Sequence, residues 1–412
     1  MPSVLHDSQL TKEQRAIVEL RPDRHHLVLG PPGSGKTQVL LHRARWLMER
    51  ENSPSSRFSV LVYTNVLTYY LRHSLEFLGI PIENVRTFDD WCGELWDQLC
   101  TGTKPRTPPD HRGHTYVDFP AVRLQVLNAM IARGLDNKKP IFDFVLIDEG
   151  QDLDAASYEI LHRASKHLTV FADARQQIFE QGESIEQIQQ HLKLTSQTGN
   201  LLPAYRNSPD IAKLASYFGN LFEGLNYLAN ERQKPMLYIA ADWEDEVDHL
   251  AEALRERRLM NHKCGIVVPT NRDLHSLAKK LAERGVEIHK AIPARRGSTP
   301  PDFDSLTPVI ASYHSVKGLT FDCVLLPKLV EKNFQRVQSE IRKRLLLVGI
   351  TRATQWVYLS TVAGYELDQV ATLKLAAKSN DLFIKTANQA PVEENNPPVD
   401  DDETEDDEIS FL

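Results

Sequence analysis

The chain has 412 residues, of which 41% are hydrophobic and 25% charged, so most of it can bury a core and about two or three domains are expected. No apolar run approaches the roughly 18 residues of a membrane-spanning helix, and the first residues lack the basic and apolar regions of a signal peptide. The four cysteines are scattered without a C-x-x-C pair, which argues against a zinc site, an iron–sulfur cluster or a disulfide framework. These features predict a soluble cytoplasmic protein.

The formal net charge of −8 is concentrated at the C-terminal end of the sequence. Residues 393–412 contain ten acidic residues and no basic one; removing these ten from the 56 acidic residues leaves 46, against 48 basic residues. A nearly neutral body can still carry a basic track for nucleic acid. From residue 390 the composition turns to proline, asparagine and acid, which predicts a disordered acidic tail.

The first predicted element is a short helix after Leu10. Thr11 stands at the N-cap and Gln14 three residues later, the spacing of a capping box, in which each side chain bonds the other residue's backbone. On this evidence Gln14 is explained by helix capping, and a further role for it stays open.

Residues 30–37 read G-P-P-G-S-G-K-T and follow Leu27-Val28-Leu29, a short apolar run that predicts a buried strand. Residues 38–50 carry apolar side chains at helical spacing. In this strand–loop–helix context the loop N–H groups and the helix N-terminus face phosphate oxygens. Lys36 would reach the β- and γ-phosphates of ATP, and the Thr37 hydroxyl would bind Mg²⁺.

Predicted strands and helices alternate along the rest of the first half, which favours a parallel sheet. The strands are 58–63, 84–88, 142–147 and 168–171, and the helices are 64–78, one capped by Asp89, and 119–133. Residues 101–115 are rich in proline, threonine and basic residues and predict an exposed connector, with a DNA contact as the alternative.

The strand at 142–147 ends on Asp148-Glu149-Gly150-Gln151-Asp152. An acidic pair at a strand end after a phosphate loop is the second half of an ATPase. Asp148 would hold Mg²⁺, directly or through water, and Glu149 would act as general base on the attacking water.

A second series of strands and helices begins near residue 201 and contains no phosphate loop of its own. Its strands are predicted at 236–240, 265–268, 286–289, 308–311, 323–326 and 356–359, and its helices at 245–257, 273–282 and 341–353. We therefore expect an α/β protein with a first domain at 1–202, including a small, partly helical insert at about 92–140, a second domain at 203–389, and a tail at 390–412.

Taken in order, these motifs resemble those of superfamily 1 helicases of the UvrD/Rep type. The chain is similar to a compact member with two RecA-like core domains, which are P-loop NTPase folds, and reduced accessory domains. Gln14 matches the glutamine that reads adenine, and the matches continue to about residue 360. They are residues 30–37 (motif I), 60–65 (Ia), Thr87-Phe88 (Ib), 148–152 (II), 173–179 (III), Tyr205-Arg206 (IV), 314–322 (V) and 344–353 (VI).

The resemblance implies a motor in which two RecA-like domains enclose ATP and move single-stranded DNA, although RNA is not excluded. It assigns catalysis to Lys36, Asp148, Glu149, Gln176, Arg206 and Arg352. It assigns ATP contacts to Gln14, Gly30, Gly33, Gly35, Lys36, Thr37, Tyr205 and Gly318, and Mg²⁺ to Thr37 and Asp148. The implied nucleic-acid contacts are Tyr63, Thr64, Asn65, Thr87, Phe88, His314, Ser315 and Lys317, with a core role as the alternative for Tyr63.

The sequence departs from the family pattern mainly in the nucleic-acid set. Thr320 stands where relatives usually have glutamate, Gln38 where an adenine-stacking arginine is common, and Gln181-Gly182 where relatives have a Trp-Arg pair. Two functions therefore stay open. One is an ATP-dependent DNA helicase or translocase in repair, recombination or anti-phage defence. The other is an ATP-gated regulatory subunit that controls a partner such as a nuclease.

The last residues, Phe411-Leu412, follow a run of acids and resemble the C-terminal peptide of bacterial single-strand binding proteins. Such a tail can dock on a partner through its acids and its apolar tip, or compete for the nucleic-acid groove of its own chain. A merely solubilising tail is the remaining interpretation.

Overall fold

The computed structural model describes residues 9–31, 33–51, 54, 57–62, 64–109, 113–136, 138–173, 182–201, 204–205, 207–219, 226–227, 233–292, 302–303 and 305–387. The chain forms two compact units that divide between residues 203 and 204. Within the described part, no helix combines the length and the apolar character that crossing a bilayer requires. The tail expected at 390–412 lies outside the described residues.

The first unit is built on six parallel strands. They are β1 His26–Leu29, β2 Phe58–Val62, β3 Val85–Thr87, β4 Phe142–Ile147, β5 Ser165–Ala172 and β6 Gly199–Asn200. Their order across the sheet is β3-β2-β4-β5-β1-β6, and every pairing is parallel. Because the strands run the same way, the segments that follow them meet at one edge of the sheet, where α/β proteins bind ligands.

Eight helices of the first unit connect or flank these strands in the described residues. They are α1 Lys12–Val18, α2 Lys36–Glu51, α3 Asn65–Tyr70, α4 Arg72–Leu78, α5 Phe88–Leu99, α6 Phe119–Ala132, α7 Ala155–Ala164 and α8 Ile185–His191. The helix expected at 64–78 is two helices, because the chain turns at Leu71. Helices α5 and α6 pack on the sheet through Trp91, Val122, Val126 and Met130, all buried.

The N-terminus of α5 differs from the prediction. Asp89 was expected to cap this helix, but the cap is Thr87, whose extended backbone lets its hydroxyl accept the N–H of Asp90. Asp89 instead accepts a hydrogen bond from Arg123 of α6 at 2.8 Å. The prediction of Asp89 as the cap was therefore wrong, because the helix begins directly at the end of β3.

The second unit carries a seven-stranded parallel sheet. After a short pair, β7 Ala204–Tyr205 and β8 Asn226–Tyr227, its strands are β9 Met236–Ala240, β10 Cys264–Val268, β11 His289–Lys290, β12 Val309–Ser312, β13 Phe321–Leu326, β14 Ala353–Val362 and β15 Phe383–Thr386. The order is β11-β12-β10-β13-β14-β9-β15. Its helices are α9 Pro209–Ser216, α10 Trp243–Leu259, α11 Asn271–Glu283, α12 Ser339–Ile350 and α13 Val370–Lys378.

Parallel sheets flanked by helices in both units confirm the expected fold class of two RecA-like domains. The strand expected at 286–289 is reduced to β11, because Val286 packs into the core from the loop that follows α11. The sequence patterns did not predict β15, whose four residues are mostly exposed and carry no buried alternation.

Candidate active site

The phosphate loop joins β1 to α2 and is shaped by glycines that a side chain would disrupt. Gly33 and Gly35 have φ values of 75° and 83°, a backbone region that glycine adopts without strain. At Gly30 a Cβ would approach the Ser34 hydroxyl to 2.6 Å and the Leu201 Cβ to 3.0 Å. The Ser34 hydroxyl is buried without a hydrogen-bond partner among the described residues. This loop therefore has the close curvature and the unsatisfied polar group expected of a phosphate cradle.

Lys36 lies at the first position of α2 and is buried, with 7% of its surface exposed. Its Nζ donates to the carbonyl oxygens of Gly30 at 2.9 Å and of Pro31 at 3.4 Å. The same Nζ lies 4.0 Å from a carboxylate oxygen of Asp173, which follows β5. These contacts hold the ammonium group over the loop, where the phosphates of a nucleotide would replace the carbonyl contacts.

Thr37 and Asp148 converge although 111 positions separate them in the chain. The Thr37 hydroxyl donates to Asp148 Oδ2 at 2.7 Å. Both are oxygen ligands of the kind that Mg²⁺ prefers, so the pair fits the ion that the family implies. Burial and the neighbouring Glu149 raise the pKa of Asp148 to about 6. A divalent cation at this position would relieve that unfavourable burial of charge.

Glu149 is held in an unusual backbone conformation beside Asp148. Its φ of 54° lies in the left-handed region, which side-chain-bearing residues adopt only at a cost of about 1–3 kcal/mol. Its carboxylate accepts a hydrogen bond of 2.6 Å from Gln151 Nε2. Gln151 Oε1 in turn accepts the backbone N–H of Asp173 at 2.9 Å. The strain and the fixed carboxylate suit a general base that must keep one orientation.

Gln151 and Asp173 were not among the predicted site residues, yet they join the acidic pair to the end of β5. Gln151 is fully buried and Asp173 is 5% exposed. A signal was available in the sequence, because both stand within strand-end motifs quoted above. Spacing alone did not reveal that one amide bridges the ends of β4 and β5.

Gln14 makes two sets of contacts, one within its helix cap and one with the phosphate loop, and its role in reading adenine stays a prediction. Its Oε1 accepts the N–H of Thr11 at 3.0 Å and its N–H bonds the Thr11 hydroxyl, which completes the capping box. Its Nε2 donates to the Ser34 carbonyl at 3.3 Å. The helix cap thus places the Gln14 amide against the phosphate loop.

In the second unit, Arg352 lies just after α12 and is 7% exposed. Its Nε donates to the Val348 carbonyl at 3.1 Å and its Nη2 to the Thr351 hydroxyl at 3.3 Å. A cation at a helix C-terminus is favoured by the helix dipole. Gly318, with φ 83°, lies in the turn between β12 and β13. Their expected contacts with ATP stay predictions.

Four of the five nucleic-acid residues predicted in the first unit are described, and they lie at the same sheet edge as the phosphate loop. Thr64 follows β2 and caps α3, its hydroxyl accepting the Leu67 N–H at 3.1 Å, and Asn65 begins that helix. Thr87 ends β3 and caps α5, while Phe88 is buried against Trp91. Capping already explains both threonines, so strand contacts by these residues remain predictions.

A groove of about 780 Å³ is lined by residues of β3, α5, the start of α6 and the segment before α6. Its lining includes five acidic and two basic residues: Glu83, Asp89, Asp90, Glu94, Asp97, Arg86 and Lys104. Arg86 pairs with Glu94, and Lys104 with Asp97. The net charge of this surface is therefore negative, which disfavours a phosphate backbone there.

The candidates in the second unit form a compact turn between β12 and β13. Ser315 bonds Ser312 through its backbone N–H and its hydroxyl. Burial, with a smaller effect of Lys317, lowers the pKa of His314 to about 4. Lys317 is fully buried. A strand contact by Lys317 stays a prediction and would require exposure of its ammonium group.

Several predicted residues cannot be placed. Tyr63, Gln176 and Arg206 lie outside the described residues, as does the side chain of Tyr205, whose backbone forms β7. Their expected roles remain predictions. Within the described part, no group of three or more His, Cys, Asp and Glu side chains is arranged to hold a metal ion; the magnesium pair proposed above includes a threonine.

The loop, the buried lysine and the acidic strand end define the first unit as a P-loop nucleoside-triphosphatase domain. Residues 13–181 match a family model described as an AAA domain. Residues 309–360 match a model described as the UvrD-like helicase C-terminal domain. Both matches fall on the motifs that resemble superfamily 1 helicases of the UvrD/Rep type, and they support an ATPase of the helicase class.

Among curated proteins, the chain is similar to DNA helicase II of Haemophilus influenzae, with 35% identity over 84 residues, and of Escherichia coli K12, with 38% over 73 residues. These matches cover 20% and 18% of this chain but only 11% and 10% of the relatives. A solved structure, the C-terminal domain of a possible DNA helicase from Lactobacillus plantarum WCFS1, covers 44% of this chain and 99% of that one at 18% identity. The TM-score of that match is 0.35.

Proposed function

We propose that this chain is a DNA-stimulated ATPase that couples Mg²⁺-dependent ATP hydrolysis to movement along single-stranded DNA in the cytoplasm. The single observation that supports it most is the contact between Thr37 and Asp148, with Lys36 and Glu149 buried beside it. Repair, recombination and defence against foreign DNA are the settings we propose for such an activity.

The chemistry that we propose assigns one task to each group. Lys36 binds the β- and γ-phosphates, and bound Mg²⁺, held by Thr37 and Asp148, would neutralise phosphate charge. Glu149 accepts the proton of the attacking water, and Gln151 keeps that carboxylate oriented. We further propose that Gln176, Arg206 and Arg352 assist hydrolysis by stabilising charge on the γ-phosphate.

The test is the ATPase rate with and without single-stranded DNA, for the wild-type chain and for Lys36→Ala, Glu149→Gln and Arg352→Ala. We expect strong stimulation by DNA and a loss of about 100-fold or more in each variant. Lys12→Ala, at an exposed lysine of α1, is the matched control and should retain the wild-type rate. Hydrolysis that persists in Lys36→Ala would refute the assignment of this site.

A second candidate, an ATP-gated subunit that regulates a partner such as a nuclease, is favoured by one observation. The predicted strand-contacting residues are helix caps, a buried lysine and neighbours of an acidic groove. Weak binding of DNA would suit a regulatory subunit better than a translocase. This candidate predicts an ATPase rate that DNA leaves unchanged and a partner alters. Translocation assays on strands of varied length and polarity would separate the two.

A further inference from the structure

Two cysteines of the second unit stand directly opposite each other in its sheet. Cys264 begins β10, and its register partner on the neighbouring parallel strand β13 is Cys323. Register partners point to the same face of a sheet. Neighbouring strands lie about 4.8 Å apart, within the Cα separation of about 4.4–6.8 Å that a disulfide spans. The two thiols are both free in the structure.

A histidine contacts both thiols. The Nδ1 atom of His262, which is half-buried, lies 3.3 Å from Cys323 Sγ. The Cys264 thiol lies 3.8 Å from the His262 carbonyl oxygen. In the tautomer whose Nδ1 carries no proton, the imidazole can accept the Cys323 proton. Small apolar packing alone would explain two buried cysteines, but it would not require an imidazole nitrogen against one of the sulfurs.

We propose that Cys264 and Cys323 form a reversible disulfide when the protein meets a hydroperoxide, with His262 as the base that activates Cys323. This modification site is independent of the phosphate loop and does not rest on the ATPase activity. The register of the two cysteines and the contact between His262 and Cys323 are the observations that support it.

The two thiols have different tasks. A hydrogen bond to Cys323 and burial raise the pKa of Cys264 well above its usual range, so Cys264 keeps its proton. Cys323 is fully buried, so it reacts when the surrounding core opens locally. It then loses its proton to His262, and its sulfur attacks the distal peroxide oxygen. The O–O bond breaks, an alcohol leaves with the proton from His262, and Cys323 becomes a sulfenic acid. Cys264 then attacks that sulfur, and the S–O bond breaks to release water with the Cys264 proton.

The overall reaction is balanced in atoms and electrons, because two thiols lose two electrons and two protons while one hydroperoxide becomes an alcohol and water. The resulting bond would connect β10 to β13 at their amino ends. Phe321 of β13 already packs on Gly265, where a Cβ would meet its ring at 2.6 Å. A covalent link would therefore join two strands that are in close contact.

The experiment treats the full chain with hydrogen peroxide, blocks free thiols, and maps peptides by mass spectrometry without reduction. We expect one cross-linked peptide pair containing Cys264 and Cys323, lighter by two hydrogens and restored by dithiothreitol. Cys92, which is also buried, serves as the internal control and should remain alkylatable after denaturation. Separate oxidation of the two cysteines without a cross-link, or no oxidation, would overturn the proposal.

Three variants refine the test. Cys264→Ser should abolish the cross-link and leave Cys323 as a sulfenic acid that a dimedone probe traps. His262→Gln should slow cross-linking by about tenfold or more at pH 7 while the final disulfide yield is unchanged. Cys92→Ser is the matched control and should change neither the rate nor the yield. Equal rates in His262→Gln and wild type would remove the histidine from the proposal.

Discussion

Two residues of the candidate active site, Asp148 and Glu149, are held in energetically unfavourable states. Asp148 is buried beside Glu149. Its carboxylate accepts hydrogen bonds from the Thr37 hydroxyl and from the backbone N–H of Glu149. Glu149 adopts a left-handed backbone conformation at the same point. Sites that bind charged ligands commonly sacrifice stability in this way, because their groups are arranged for a ligand that the free protein lacks.

Asp148→Asn should therefore stabilise the free protein while abolishing ATP hydrolysis. The folded pKa of Asp148, about 6, lies above its ordinary value, so its ionised form opposes folding increasingly as pH rises through this range. At pH 7.5 we expect a gain of about 1 kcal/mol, since the amide keeps only part of the hydrogen bonding. Urea unfolding of the wild type and the variant measures this change in the free energy of unfolding. Asp97→Asn, at an exposed pair with Lys104, should change stability by less than about 0.5 kcal/mol.

The same titration predicts the pH dependence of cation binding. Below about pH 6 a proton on Asp148 competes with Mg²⁺. The Mg²⁺-dependent rise in melting temperature with a non-hydrolysable ATP analogue should therefore increase between pH 5 and pH 7. A pH-independent shift would show that Asp148 does not contribute to the cation site.

Gln151→Leu tests the positioning of the general base. The substitution removes the Gln151 amide that accepts the Asp173 N–H and donates to the Glu149 carboxylate. We expect kcat for ATP to fall by about 10–100-fold with little change in KM, the range typical of residues that orient a catalytic group. Gln151→Glu, which cannot donate when ionised, should also be impaired, and exposed Gln190→Leu should be normal. A change in KM alone would contradict a positioning role.

At the scale of elements, the two edges of the first sheet carry different groups: the candidate ATP-binding residues lie at one edge and buried or half-buried histidines at the other. The carboxyl ends of β1, β4 and β5 hold the phosphate loop, Asp148 and Asp173. Towards the amino ends lie His25, His26 and His167, and burial is the main cause that lowers their pKa values to about 4, 4 and 3. His167 stacks on Phe144 of β4, and neither of its ring nitrogens has a hydrogen-bond partner among the described residues.

These histidines predict loss of stability on acidification. Their folded pKa values lie below the ordinary value of about 6.5, so the unfolded chain binds more protons and stability falls as pH drops from about 6.5 towards 4. His167→Phe preserves the stacking. It should reduce the loss in the free energy of unfolding between pH 6.5 and pH 4 by on the order of 3 kcal/mol. Urea unfolding at several pH values measures it. Exposed His114→Phe should leave the slope unchanged; an unchanged slope in His167→Phe would contradict the assignment.

At the scale of the whole molecule, charge is unevenly distributed along the chain. The last twenty residues hold ten acids, and the remainder has two more basic than acidic residues. Deleting 393–412 should therefore tighten binding to single-stranded DNA several-fold at low salt and steepen its salt dependence. Fluorescence anisotropy at several salt concentrations measures both. Replacing the ten acids by amides separates charge from the Phe411-Leu412 tip, and unchanged affinity in both variants would exclude competition with DNA.

Much of the fold followed from local pattern, because apolar runs bounded by turn residues and acids predicted most strands of both sheets. The phosphate loop and the acidic strand end were also predicted, since their chemistry requires particular residues at particular spacings. Short or exposed elements such as β6 and β15 were not, because two to four mostly exposed residues carry no periodic signal. The same limit applies to the cap of α5, where Thr87 and Asp89 are both acceptable by composition.

The sequence by itself determined the class of fold, the position of the phosphate loop and the resemblance to a helicase family. These follow from local apolar periodicity and from the spacing of motif residues along the chain. Only the tertiary structure decided which distant groups meet. It showed that Thr37 bonds Asp148, that Gln151 links Glu149 to Asp173, and that Cys264 faces Cys323. The order of parallel strands fixes such pairs, and strand order depends on packing of the whole sheet.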